Sequence, residues 1–152
     1  MLYLQISVWE WQGIPEKHCE AANMEIDIED LKRKVDAGAD YIVTQMFFDN
    51  NKFFSFVEKC RAAGISVPII PGIKPISTTR HIELLPQAFS LDIPQELMRE
   101  LVKCRSNEAI YKLGIEWATL QCKELLEWGA RSVHFYTMGK ADNIREIIKR
   151  AF

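Results

Sequence analysis

The chain has 152 residues, 48% of them hydrophobic and 26% charged, with a formal net charge of −2. That is the composition of one globular domain, residues 1–152, long enough to bury a core. The slight acidity argues against a nucleic-acid partner, which calls for a basic excess on one face. No apolar run approaches the roughly 20 residues of a membrane span. The opening MLYLQISVWEW lacks the basic start and small-residue cleavage site of a signal peptide, so a cytoplasmic protein with no membrane partner is expected. Cys19, Cys60, Cys104 and Cys122 are widely spaced with no CxxC pair, which fits reduced thiols better than disulfides or zinc. The stretch from Glu16 to Glu20 holds potential ligands in His18 and Cys19, but nothing downstream completes a set, and no metal is expected.

In chain order, residues 2–9 (LYLQISVW) are β-branched and aromatic and suggest a strand, which Gly13 and Pro15 break. Asp27 stands as the N-cap of a helix whose period runs through Leu31, Val35 and Gly38. Tyr41 to Gln45 forms the next strand. A helix from Asn50 to Ala63 buries Phe53, Phe54, Phe56, Val57 and Cys60, and Gly64 stops it. VPIIPG, 67–72, is a short strand. Ser77 caps a helix that Pro86 must end or kink, and Ile93-Pro94 opens another with the proline in its first turn. The longest helix spans Asn107 to Trp128 and stops at Gly129. SVHFYT, 132–137, is the last strand, followed by a helix over 141–150.

Strands separated by helices imply βαβ crossovers and a parallel sheet, whose chemistry sits at the carboxyl ends of the strands. The segments after the strands read GIPEKH, TQMFFD, PGIKPIS and YTMGK, polar or irregular where the strand bodies are apolar. That bias points to a small-molecule site.

Gln45 closes a strand apolar enough to be buried, and an unpaired buried amide costs about 1–3 kcal/mol. Either it bonds a neighbouring loop backbone, or its donor and acceptor read a heterocycle with matching groups, such as a pterin edge, with Phe47 and Phe48 offering a stacking face or lying in the core. Asp27, Asp30 and Lys34 share a helix face, with Arg33 on its flank. They form either an exposed ion-pair ladder or a polar strip beside a long dianionic ligand.

The stretches PEKHCEAAN, DLKRKVDAGADYIVTQMFFD, AAGISVPIIPGIKPIS and VHFYTM together resemble, in order, the carboxyl-terminal half of the methylenetetrahydrofolate reductase catalytic domain. The resemblance implies the second half of a (β/α)8 barrel, about four parallel strands with flanking helices. It implies FAD as cofactor, NADH or NADPH as hydride donor, and reduction of 5,10-methylenetetrahydrofolate to 5-methyltetrahydrofolate in one-carbon and methionine metabolism. His18, Ala21, Asp27, Asp30, Arg33 and Lys34 match FAD-contacting positions. Gln45 matches the glutamine that contacts the pterin, while His81 and Lys140 stand where members carry a folate-side glutamine and an arginine.

The chain departs from the family in an aromatic replaced by Ile14, an amide replaced by Asp30 and a phenylalanine replaced by Leu85, and residues 1–12 are atypical. A whole barrel takes about 250 residues. The chain is therefore expected to be truncated, without the family's general-acid glutamate, and no catalytic residue is assigned: neither Glu16 nor Glu20 is singled out by geometry. Open sheet edges imply a homo-oligomer. The alternative is a non-catalytic half-barrel with residual FAD or folate binding or self-association only. A third reading is an unrelated α/β enzyme whose strand-end residues coincide with the family's by chance.

Overall fold

The computed structural model describes residues 24–137 and 141–152. In chain order the elements are α1 (Met24–Asp36), β1 (Ile42–Met46), α2 (Asn50–Ala62), β2 (Ile69–Ile73), α3 (Thr79–Phe89), α4 (Gln95–Lys103), α5 (Asn107–Trp128), β3 (His134–Phe135) and α6 (Asp142–Ala151). The three strands form one parallel sheet in sequential order, β1-β2-β3, with a helix or helices in every crossover. The strand expected over residues 2–9 lies outside the described residues.

One local device recurs at each passage from helix to strand. After α1, α2 and α5 the chain turns on Gly38, Gly64 and Gly129, all at positive φ. In each case the two amides after the helix return to its last turn, as in Gly64 N–H to Arg61 O and Ile65 N–H to Cys60 O, both 3.0 Å. Only a residue without a Cβ takes that turn at little cost.

Alternation then sorts the strand residues. Ile42, Ile73 and Phe135 face the helices, where Phe47, Phe53, Phe56, Cys60, Ile115, Cys122, Leu125 and Ile147 build the main core. Phe47 stacks on Phe53 with centroids 5.3 Å apart. A second apolar cluster lies beyond the carboxyl end of β1, where Met46 and Phe48 meet Ile76 and residues of α3, α4 and α5.

Several expected boundaries move. Helix α1 begins at Met24, so Asp27 is no N-cap but lies in the first turn, where the helix dipole also favours a carboxylate. The cap of α3 is Thr78 rather than Ser77, and Asn107 Oδ1 receives the Thr79 N–H at 3.0 Å. Pro86 neither ends α3 nor starts a loop: the helix runs on to Phe89 and stops at Ser90, whose φ of 51° is left-handed. Pro94 precedes α4 as its cap instead of lying in its first turn. Phe54 is half-buried, unlike the other four residues expected inside α2.

Candidate functional site at the strand ends

The strand β1 is not regular. Val43 pairs with Ile70, but Met46 pairs with Gly72, so three steps on β1 oppose two on β2. The extra residue is a β-bulge at Thr44–Gln45, the kind of irregularity that re-aims a side chain where a strand reaches a site. Both residues are fully buried. Gln45 Oε1 accepts the N–H of Met46 at 3.0 Å, so the bulge's own backbone sets which way the amide faces. The backbone partner is thus the next residue of β1 itself rather than a neighbouring loop.

The bulge is held from β2 and from the segment just past β3. Thr44 Oγ1 accepts the Gly72 N–H at 3.0 Å and donates to the Gln45 carbonyl at 2.9 Å. The Tyr136 hydroxyl, just past β3, crosses over β2 to donate to the Thr44 carbonyl at 2.9 Å. Gly72 is what permits this: a Cβ there would stand 2.4 Å from Thr44 O and 2.7 Å from Tyr136 Cε2. Burial raises the pKa of Tyr136, which keeps its hydroxyl a donor.

The turn that follows β1 is pinned by α5. Trp117 Nε1–H donates to Phe48 O at 3.1 Å, and Gln121 Nε2 donates to Phe47 O at 3.2 Å. Asn50 completes the lock through Gln121 O at 3.1 Å and Glu124 Oε2 at 2.6 Å. Phe47 and Phe48 are buried in the two apolar clusters, so of the two readings open to them the structure supports the core. Leu85 is likewise buried in the second cluster.

After β2 the chemistry differs. Lys74, one residue beyond Ile73, is only 4% exposed, and among the described residues its hydrogen bond is a long 3.5 Å contact to Tyr136 O. Ile73 faces the helix core, so Lys74 projects with Gly72 to the opposite face. Desolvation lowers its pKa. His81 Nδ1 accepts the Ser77 N–H at 3.2 Å, which leaves the ring proton on Nε2, and burial first, the Lys74 charge second, lower its pKa. Asn143 of α6 donates to Ser77 Oγ at 3.1 Å and ties this loop to the last helix. Sequence reasoning missed Lys74, Tyr136 and Thr44. A lysine inside the apolar run GIKPI was the one visible sign of the first.

On α1, Asp27, Asp30 and Lys34 form a half-buried strip beside the buried Ile28 and Leu31, as their spacing implied. Asp30 is ion-paired to Arg33, whose side chain is exposed, and Lys32 pairs with Asp36 at 2.9 Å. His18, Ala21 and Lys140, with Glu16 and Glu20, lie outside the described residues. Among the described residues no group of three or more metal-ligating side chains occurs, no helix is long and apolar enough to cross a membrane, and Cys60, Cys104 and Cys122 are free thiols.

Sequential parallel strands with helices in the crossovers and polar groups at the carboxyl ends define a (β/α) barrel segment. A solved structure shares this fold: an uncharacterized protein from Clostridium thermocellum that binds two copies of 5-methyl-5,6,7,8-tetrahydrofolic acid aligns with a TM-score of 0.61 at 21% identity, over 91% of this chain and 50% of that one. The profile of the methylenetetrahydrofolate reductase family matches residues 3–151, and the chain belongs to that family. It is 40% identical over 139 residues to the probable methylenetetrahydrofolate reductase (NADPH) of Caenorhabditis elegans, covering 90% of this chain and 21% of that protein. It is 36% identical over 129 residues to the 5,10-methylenetetrahydrofolate reductase of Escherichia coli, covering 84% and 44%. Methylenetetrahydrofolate reductase (NADH) 1 of Arabidopsis thaliana is 40% identical over 136 residues, covering 83% of this chain. The chain thus spans less than half the length of each of these relatives.

Proposed function

We propose that this chain carries half of a flavin- and folate-binding site for the reduction of 5,10-methylenetetrahydrofolate to 5-methyltetrahydrofolate by NADH or NADPH. The observation that carries the reading is Gln45, a fully buried amide set by a bulge at the carboxyl end of β1, in a chain of this family. Its fixed orientation suits an amide that reads the donor and acceptor edge of a pterin. His81 offers Nε2–H on the folate side, and Lys140 is assigned there from the family pattern.

The α1 strip fits FAD. Two cations, Arg33 and Lys34, suit its phosphates, and the carboxylates of Asp27 and Asp30 suit its hydroxyls. His18 and Ala21 are assigned to the same cofactor from the family pattern. Bound there, the flavin would supply hydride transfer between nicotinamide and folate. This chain's own part is to hold the two ring systems, and none of its carboxylates is assigned as the proton donor. The relatives' names divide between NADH and NADPH, so both remain donors of the proposal. The free thiols suit a cytoplasmic setting, and a sheet whose outer strands β1 and β3 carry no further strand among the described residues suits association of copies.

The test is the visible absorption of the purified chain after incubation with excess FAD and desalting. Retained flavin bands, followed by nicotinamide-dependent reduction of a quinone acceptor, are the expected result. A folded but colourless protein would replace this reading with that of a non-catalytic half-barrel.

A further inference from the structure

The geometry points to Tyr136 as a positioning residue for Gln45, acting through the bulge rather than by touching a ligand. This rests on the folate reading of Gln45. Tyr136 belongs to the segment after β3, two strands from Gln45, yet its hydroxyl donates to Thr44 O, the carbonyl that begins the bulge. The next links are covalent or short: the Thr44–Gln45 peptide, then Met46 N–H to Gln45 Oε1 at 3.0 Å. A ladder at a bulge is locally interrupted, so its carbonyls need partners from elsewhere. Tyr136 supplies one for Thr44, and Thr44 Oγ1 supplies one for Gly72 N–H.

The arrangement also has a cost that a merely structural tyrosine would not impose. The ring occupies the space of a Gly72 side chain, so β2 gives up a side chain on this face to let the hydroxyl reach β1. Without the hydroxyl, the Thr44 carbonyl loses its partner, and the bulge that sets the amide is held less firmly. Binding then carries the cost of ordering it.

The experiment is a double-mutant cycle on the full chain, reading the affinity for 5-methyltetrahydrofolate by calorimetry and the unfolding midpoint of every variant. Tyr136→Phe keeps the ring over Gly72 and is expected to weaken binding by roughly 3- to 10-fold, the range of one hydrogen bond. In a Gln45→Ala background the same change is expected to cost nothing further. Equal losses in both backgrounds, or no loss in either, would overturn the inference while leaving the folate reading intact. A wild-type chain that binds no folate overturns both. In the ligand-free chain, the Gln45 side-chain amide resonances are expected to shift and broaden in Tyr136→Phe. Unchanged resonances also overturn it, without recourse to ligand or to the Gln45 variant.

Discussion

The segments that follow β1 and β2 leave the same sheet at the same end, yet they are held to different degrees. After β1 the turn is saturated: two buried rings, carbonyls capped by Trp117 and Gln121, and Asn50 locked to Glu124. After β2, among the described residues, a buried ammonium has one long contact, and the loop is held by a few bonds through Ser77 and by shape, with Ile76 pressed against α5 at Gly114. The first segment is scaffold. The second, among the described residues, leaves polar capacity to spare at Lys74 Nζ and His81 Nε2–H.

The sharpest way to break this contrast is Gly114→Ala. A Cβ there would stand 1.8 Å from the backbone oxygen of Ile76, which no rotamer relieves, and a loss of about 3 kcal/mol or more is expected in urea unfolding. A near-wild-type midpoint would mean that the second segment moves freely and is not held by shape. Gln121→Ala attacks the first segment instead. It strands the Phe47 carbonyl and one Asn50 contact, for an expected loss of about 2 kcal/mol by the same measurement.

Lys74→Met probes that capacity. Burial lowers the folded pKa of Lys74 below 10.5, so between that folded value and 10.5 the unfolded chain binds more protons and stability rises with pH. At neutral pH both states are protonated and the full penalty stands. The variant is expected to be more stable at pH 7 and to lose that alkaline rise. His81, relieved of the Lys74 charge, is expected to titrate closer to 6.5 by NMR while burial still holds it low. An unmoved His81 would separate the two groups. The mildest test reads thiols: burial pushes Cys60 to about 11 and Cys122 to about 12, so half-buried Cys104 is expected to react with a disulfide reagent well before either.

What could be read from the sequence divides by range of interaction. The helices that end on Gly64 and Gly129 obey rules local to one turn, and residue patterns express them directly. The strip of Asp27, Asp30 and Lys34 was visible for the same reason. The bulge was not, because register is a property of two strands and nothing in IVTQM marks the extra residue. At Pro86 the expectation of a helix end fails, since α3 runs on to Phe89. Phe47 and Phe48 were open to either reading until α2, α4 and α5 closed around them. The family motifs carried the assignment of Gln45 further than its physics did, while Tyr136 and Lys74 acquire meaning only from partners 62 or more positions away.

The sheet's unequal crossovers bear on how the site is assembled. Between β1 and β2 the chain inserts one helix, and between β2 and β3 it inserts three, more than doubling the segment to be closed. Each doubling adds only about 0.6 kcal/mol of closure entropy, but that term falls before the contacts that reward it. On closure entropy alone, the β1–β2 pair is expected to form before β3 joins. Because the Tyr136 hydroxyl belongs to the segment after β3, the Thr44 carbonyl gains this partner only when that segment docks, so the bulge that carries Gln45 is locked from a part of the chain 92 positions away.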